Sequence, residues 1–380
     1  MRRRSTNRKS GFSLLEMVIA MALGTLVLGA AVQLYSQGVA ATWTVTQRAE
    51  LQQDFRAASN MLTHDLSLAG AGLGNGTAIQ LPTSATLPVY GCAQMTGTPC
   101  YLGAANNASV TYPVQGTTPY LYGLLPGYVH GPTLLAAQGA TDVVTVVYTD
   151  PTFFLDCYQA TATNATTVTF ALTAASQASS NCTNNGTTIQ NVNDSVFGLT
   201  AGDLVLFKFG ATAVVAEVTA GATATTATFA SGDVLHMNQA NTSPKSLASI
   251  AASSTGYGTR LLVITYYIDN TISTPRLMRQ VSGHSPMPVA ENVAYMKFSY
   301  DLFNSATSAP AVNQPNPGSG DANDTASNGL LPNQVTKINI VHMAMNSTVK
   351  GARGGFQGLD LETSVSARDL TFNNNYPLGP

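Results

Sequence analysis

Charged side chains are scarce in this 380-residue sequence. Asp, Glu, Lys and Arg together make up 9% of it, against roughly 25% in an ordinary soluble domain. Threonine, alanine, asparagine, glycine and serine fill the space, which suits an extracellular, β-rich protein with neutral polar faces. A nucleic-acid surface built on a basic patch is excluded. Five of the 17 basic residues (Arg2, Arg3, Arg4, Arg8, Lys9) stand in the first eleven positions, which hold no acid. The remaining twelve face 19 acidic residues, so positions 12–380 carry a net charge of −7.

Cysteine is nearly as sparse, with Cys92, Cys100, Cys157 and Cys182 alone. None forms a CxxC and no paired histidines stand nearby, so a zinc site is not indicated. In an exported body these residues are disulfide candidates, and four cysteines allow three pairings. Closeness in sequence favours Cys92–Cys100 and Cys157–Cys182.

Catalytic patterns are missing too. The five histidines are scattered, with no HExxH. GHSPM (283–287) sets His284 beside Ser285, but Met287 stands where a nucleophile elbow needs glycine. DANDT (321–325) begins like a calcium loop, yet Ala326 and Pro332 replace its glycine and glutamate. Whether that loop holds an irregular calcium site stays open. GAGLGNG (70–76) closes a helical stretch with no Lys-Ser or Lys-Thr after it, so it reads as a helix terminator and not as a phosphate cradle. The sequence indicates no enzyme, no cofactor and no resident metal.

What is present begins at Phe12. The run to Val32 is apolar apart from Ser13, Glu16 and Thr25, and its 21 residues can cross a hydrocarbon core, which is about 30 Å thick. The basic flank keeps the N-terminus cytoplasmic and places the chain beyond residue 33 outside. A cleaved secretory signal would be shorter and end in small residues. A simple anchor leaves Glu16 unexplained, since a carboxylate in lipid costs roughly 2.5–3.5 kcal/mol. Beyond the run, Leu51, Phe55, Ala58, Leu62 and Leu66 form one apolar stripe at helical spacing. One helix from Phe12 to Leu68 would be about 85 Å long, softened at Gly24, Gly29 and Gly38.

From residue 77 onward the pattern is strand and turn. VVTVVYTD (143–150), DLVLFKFG (203–210), ATAVVAEVTA (211–220), RLLVITYYID (260–269), AYMKFSYDLF (294–303) and TKINIVHMAMN (336–346) are β-branched and aromatic runs. TTVTFALT (166–173) and ATTATFAS (224–231) are shorter candidates. Residues 304–329 are a low-complexity loop between strands of one elaborated domain.

The stretch G-FSLLEMVIAM, after its basic leader, resembles the type IV prepilin signal, with an acid at the fifth position past the junction. The resemblance implies cleavage between Gly11 and Phe12 by a prepilin peptidase, then N-methylation of Phe12. It also implies an assembly role for Glu16, which would face a neighbouring subunit's Phe12 amine, since a buried carboxylate is tolerable only with a partner. Further along, LQQDFRAASNMLTHDLSLAGAG, TDVVTVVY, GDLVLFKFG, RLLVITYYID, PRLMRQVSG, PVAENVAYMKFSYDL and LETSVSARDL come in an order similar to the PilW-like minor pilins. Arg368-Asp369 stands where that family carries Arg-Asn, and its Gly-Cys is delayed to Gly91-Cys92.

The expected fold is therefore pilin-like α+β, a long N-terminal helix packed on an antiparallel β-rich domain. Residues 1–11 are the leader and 12–69 the helix, transmembrane over about 12–33 and amphipathic over about 34–69. Residues 70–380 form the globular domain. The resemblance implies a minor pilin of a bacterial type IV pilus that enters or primes the filament and supports motility, adhesion or DNA uptake. Its partners would be other pilins, the peptidase and the inner membrane, with no nucleic acid bound by the domain itself. The precursor would be single-pass, with its C-terminal domain outside. Two readings remain beside it: a J-type minor pseudopilin of type II secretion, and a pilus-borne adhesion module.

Overall fold

The computed structural model describes residues 11–74, 78–82, 114–115, 118–173, 182, 191–233, 235, 237–238, 245–304, 309–315, 317, 330–346 and 358–370. The chain divides into two compact units. One holds the N-terminal residues through Gln52, and the other, starting at Gln53, holds the sheets. Helix α1 spans Leu14–Ser67 without a break. As far as Val45 its large apolar side chains, Leu14, Leu28 and Tyr35 among them, are exposed. In the second unit Phe55, Ala58, Leu62 and Leu66 are buried, so the stripe read from the sequence is the face that packs.

The helix stops where glycine makes a left-handed turn possible. Gly70, Gly72 and Gly74 all have positive φ, at 82°, 72° and 84°. At Gly72 a Cβ would stand 1.8 Å from Thr149 Oγ1, so both the backbone conformation and the close approach demand glycine.

Among the described residues the body holds three antiparallel sheets. The first contains β1 (Ala78–Gln80), β2 (Val114–Gln115) and β3 (Thr118–Tyr122), in the order β1-β3-β2. The second contains β4 (Leu124–Gly127), β5 (Val143–Thr149), β6 (Gln159–Asn164), β7 (Thr167–Ala171), β8 (Leu204–Phe209) and β9 (Thr212–Glu217). It is completed by β10 (Thr226–Thr228), β11 (Thr255–Asp269), β12 (Arg276–Val281) and β13 (Met287–Glu291). The third contains β14 (Val293–Asn304), β15 (Ala309–Gln314), β16 (Val335–Asn346) and β17 (Gly358–Ser366), in the order β15-β14-β16-β17.

Strand β11 organises the large sheet. Its 15 residues exceed what one neighbour can cover, so it pairs with β6 over Thr255–Tyr257 and with β8 over Tyr257–Leu261. Farther along it pairs with β5 over Leu261–Tyr266 and with β12 over Ile264–Asp269. The β8–β9 hairpin separates two apolar clusters. Val205, Phe207 and Phe209 join Phe153, Phe170 and Phe229 on one side, with Phe207 and Phe229 edge-to-face at 5.3 Å. Leu204, Leu206 and Val215 join Leu121, Tyr122 and Leu261 on the other. Burial on both faces explains why DLVLFKFG reads as an almost unbroken apolar run instead of alternating.

Cys157, at the end of a short 3₁₀ turn (Leu155–Cys157), is joined to Cys182 by a disulfide with Cα atoms 5.6 Å apart. Cys92 and Cys100 lie outside the described residues. The body differs from the sequence reading in having three sheets and more strands. Composition makes 304–329 a loop, but β15 occupies its early part, because the backbone of β14 offers an edge on which even a polar segment can pair.

Candidate functional site

Gly11, Phe12 and Glu16 are gathered at the start of α1. Ser13 precedes the first helical residue, and its Oγ accepts a hydrogen bond from Leu15 N at 3.3 Å. Glu16 reaches back, its Oε2 accepting from Ser13 N at 3.0 Å. The Ser13 hydroxyl thus caps the second helical amide while Glu16 returns to the Ser13 amide, a variant of the capping box that satisfies two of the donors a helix N-terminus leaves open. Glu16 therefore has a partner within its own chain. Phe12 is 89% exposed, and Gly24, Gly29 and Gly38 have no neighbour within 4 Å of where a Cβ would stand. The helix is long and apolar enough to cross a membrane, and none of its apolar window is buried.

At the other end of α1 a second polar constellation holds the helix to the large sheet. Asp65 is buried, and three donors reach it from the sheet. Its Oδ2 accepts from Tyr266 Oη on β11 at 2.7 Å and from Arg279 Nε on β12 at 2.8 Å. Its Oδ1 accepts from Tyr148 Oη on β5 at 3.3 Å. Burial, followed by the negative charge of Asp65, pushes both phenols above their ordinary range. The Arg279 guanidinium loses hydration in the same place, but its hydrogen bond and ion pair with Asp65 outweigh that and raise its pKa. No local spacing announces this cluster, because the partners of Asp65 come from three separate strands.

Other buried charges are also matched. Arg260 binds Asp150 through both Nε and Nη2, donates from Nη1 to the Phe197 carbonyl at 2.8 Å, and lies 3.7 Å from Asp203. Asp203 accepts from His284 at 2.9 Å. That bond raises the His284 pKa and helps to lower that of Asp203 despite its burial. Asp142 accepts from Lys297 Nζ at 2.6 Å and from Val129 N and Phe298 N, joining β14 to the loop before β5.

The histidines do not converge. His64 lies beside Asp65, His130 is buried, His284 meets Asp203 and His342 meets Asp360, while His236 lies outside the described residues. Among the described residues no group of three or more His, Cys, Asp or Glu could hold a metal ion. The calcium-like stretch at 321–325 lies outside them.

Residues 6–32 match the prokaryotic N-terminal methylation motif. No curated protein and no solved structure matches the chain. The chain thus carries a type IV pilin-like processing signal on a long helix whose last turns pack against antiparallel sheets.

Proposed function

We propose that this chain is a minor pilin of the PilW-like kind, made as an inner-membrane precursor and transferred to a type IV pilus after processing. The observation that carries the reading is the methylation motif on a helix whose apolar first part is wholly exposed. Exposed apolar surface of that length needs an apolar surround, first lipid and then the helices of other pilins. Prepilin peptidase would cut between Gly11 and Phe12, and the new Phe12 amine would be methylated.

The capping box adds detail to the role of Glu16. In the bilayer its carboxylate is occupied by Ser13 N, which lowers the cost of keeping an acid near lipid. In the filament the same carboxylate would be released from Ser13 N to meet a neighbouring subunit's Phe12 amine. Mass spectrometry of the mature N-terminus tests the processing: methylated Phe12 is expected, and an unmethylated chain starting at Met1 refutes it. A Gly11→Leu variant should accumulate as uncut precursor. A Glu16→Val variant should insert in the membrane normally and fail to enter filaments, and wild-type incorporation would refute the assembly role.

A further inference from the structure

We propose that a pocket on the body binds an acidic saccharide, a sugar unit carrying a carboxylate. The pocket measures about 640 Å³, within the roughly 300–1,000 Å³ typical of small-molecule sites. Its floor is apolar, made by Leu73, Ile79 and Leu206. Its walls carry the half-buried Tyr120 and Gln80 and two lysines, Lys208 and Lys245.

The lysines are the unusual feature. The other cations on the described strands, Arg260, Arg276, Arg279, Lys297 and Lys337, each face a carboxylate, whereas Arg56 on α1 and Arg368 after β17 have no ion pair among the described residues. The ammonium groups of Lys208 and Lys245 have no ion pair or hydrogen bond among the described residues, and both line this one pocket. They do so in a chain whose positions 12–380 carry net charge −7, where an acid partner would be easy to supply.

The pocket arises from the sequence of the hairpin. Leu204 and Leu206 point into the apolar cluster, and the next position on that side of β8 is Lys208, so the core row ends in a cation. Across the pair, Leu206 faces Val215 but Lys208 faces Ala213, and the missing volume opens the cavity. Lys208 Nζ lies 3.8 Å from where a Cβ on Gly74 would stand, so the exposed ammonium sits at the pocket rim beside the helix exit. Lys245 holds left-handed backbone at φ 70°, a conformation uncommon outside glycine and asparagine.

Two ammonium groups supply point charges for an anion, and among the described residues no arginine fork lines the pocket to select phosphate by bidentate geometry. The Tyr120 ring and the apolar floor suit the C–H face of a pyranose, and the Gln80 amide can donate to and accept from its hydroxyls. This inference is independent of where the protein assembles.

The test uses the full-length mature protein in non-ionic detergent, titrated calorimetrically with a glucuronate-containing tetrasaccharide. Saturable binding that weakens with added salt is expected. Carboxyl-reduced tetrasaccharide should bind roughly tenfold or more weakly, and so should the native sugar to a Lys208→Gln/Lys245→Gln variant. Ala213→Leu, which fills the cavity and keeps both charges, should abolish binding, with thermal melting measured for each variant to show that it is folded. Absence of binding, equal binding of the reduced sugar, or unchanged binding by the folded lysine variant overturns the proposal. Inorganic phosphate binding as tightly as the tetrasaccharide overturns its sugar component.

Discussion

Removing the Asp65 carboxylate is the most direct perturbation of the body. Asp65→Ala leaves Arg279 without its ion partner and leaves the Tyr266 and Tyr148 hydroxyls without the acceptor they share. Breaking a buried pair by deleting one member costs roughly 3–5 kcal/mol, because the remaining charge stays desolvated. The Arg279 side chain is 25% exposed and can draw in water, so the expected loss lies near the lower end, about 3 kcal/mol. Tyr266→Phe removes a 2.7 Å hydrogen bond to a carboxylate and should cost about 2 kcal/mol. Tyr148→Phe removes a 3.3 Å one and should cost less. Urea unfolding of the full-length protein in detergent, followed by near-ultraviolet circular dichroism, measures each difference. A cycle with Arg279→Met isolates the pair, and a positive coupling is expected for side chains in contact. An Asp65→Ala variant within about 1 kcal/mol of the parent would refute the reasoning, since it would mean that desolvating the carboxylate had cancelled its bonds.

Two further predictions concern the same body. Replacing Cys157 and Cys182 with serine frees a loop closed over a sequence separation of 25, and should lower stability by about 3 kcal/mol in urea unfolding. The His284–Asp203 pair gives a pH dependence with a defined sign. His284 has a raised pKa, so its stabilisation is full below 6.5 and is lost as pH rises through the raised value. Asp203 has a lowered pKa, so its stabilisation is full above 3.8 and is lost as pH falls through the lowered value. The destabilisation caused by His284→Ala should therefore be greatest between those limits and shrink at alkaline pH. A melting-temperature difference that is flat across the alkaline range would refute it.

The elements legible in the sequence are those whose signal is local. The helix shows itself through its apolar stripe and glycine exit. The strands at 143–149, 204–209, 212–217, 293–304 and 335–346 stand out as β-branched or aromatic runs. The apolar run of β11 starts at Arg260, but the strand begins at Thr255, because its first residues include Gly256 and Gly258, which look like turn. Those glycines are required by packing: a Cβ at Gly256 would lie 2.1 Å from the Lys208 carbonyl. Strands β4 and β13 contain Pro126 and Pro288 and are not legible as strands. The processing signal is legible because Gly11, Phe12 and Glu16 are nearly contiguous. The capping of Glu16 by Ser13 is written in the same few residues and needs only the helix start to be recognised. The Asp65 cluster is invisible in the sequence, since the residues it gathers are as many as 214 positions away.

The length of β11 has a consequence for how the body comes apart. Its first third is held by β6 and β8 and its last third by β5 and β12, and β8, which it pairs, carries side chains of both apolar clusters. Neither cluster can lose its packing without stripping pairs from a strand that the other also needs. Amide exchange along β11 should then proceed only through opening of the whole sheet, with Thr255 and Asp269 reporting one common free energy. The large sheet should therefore open as one unit, and proteases should meet it either closed or fully open.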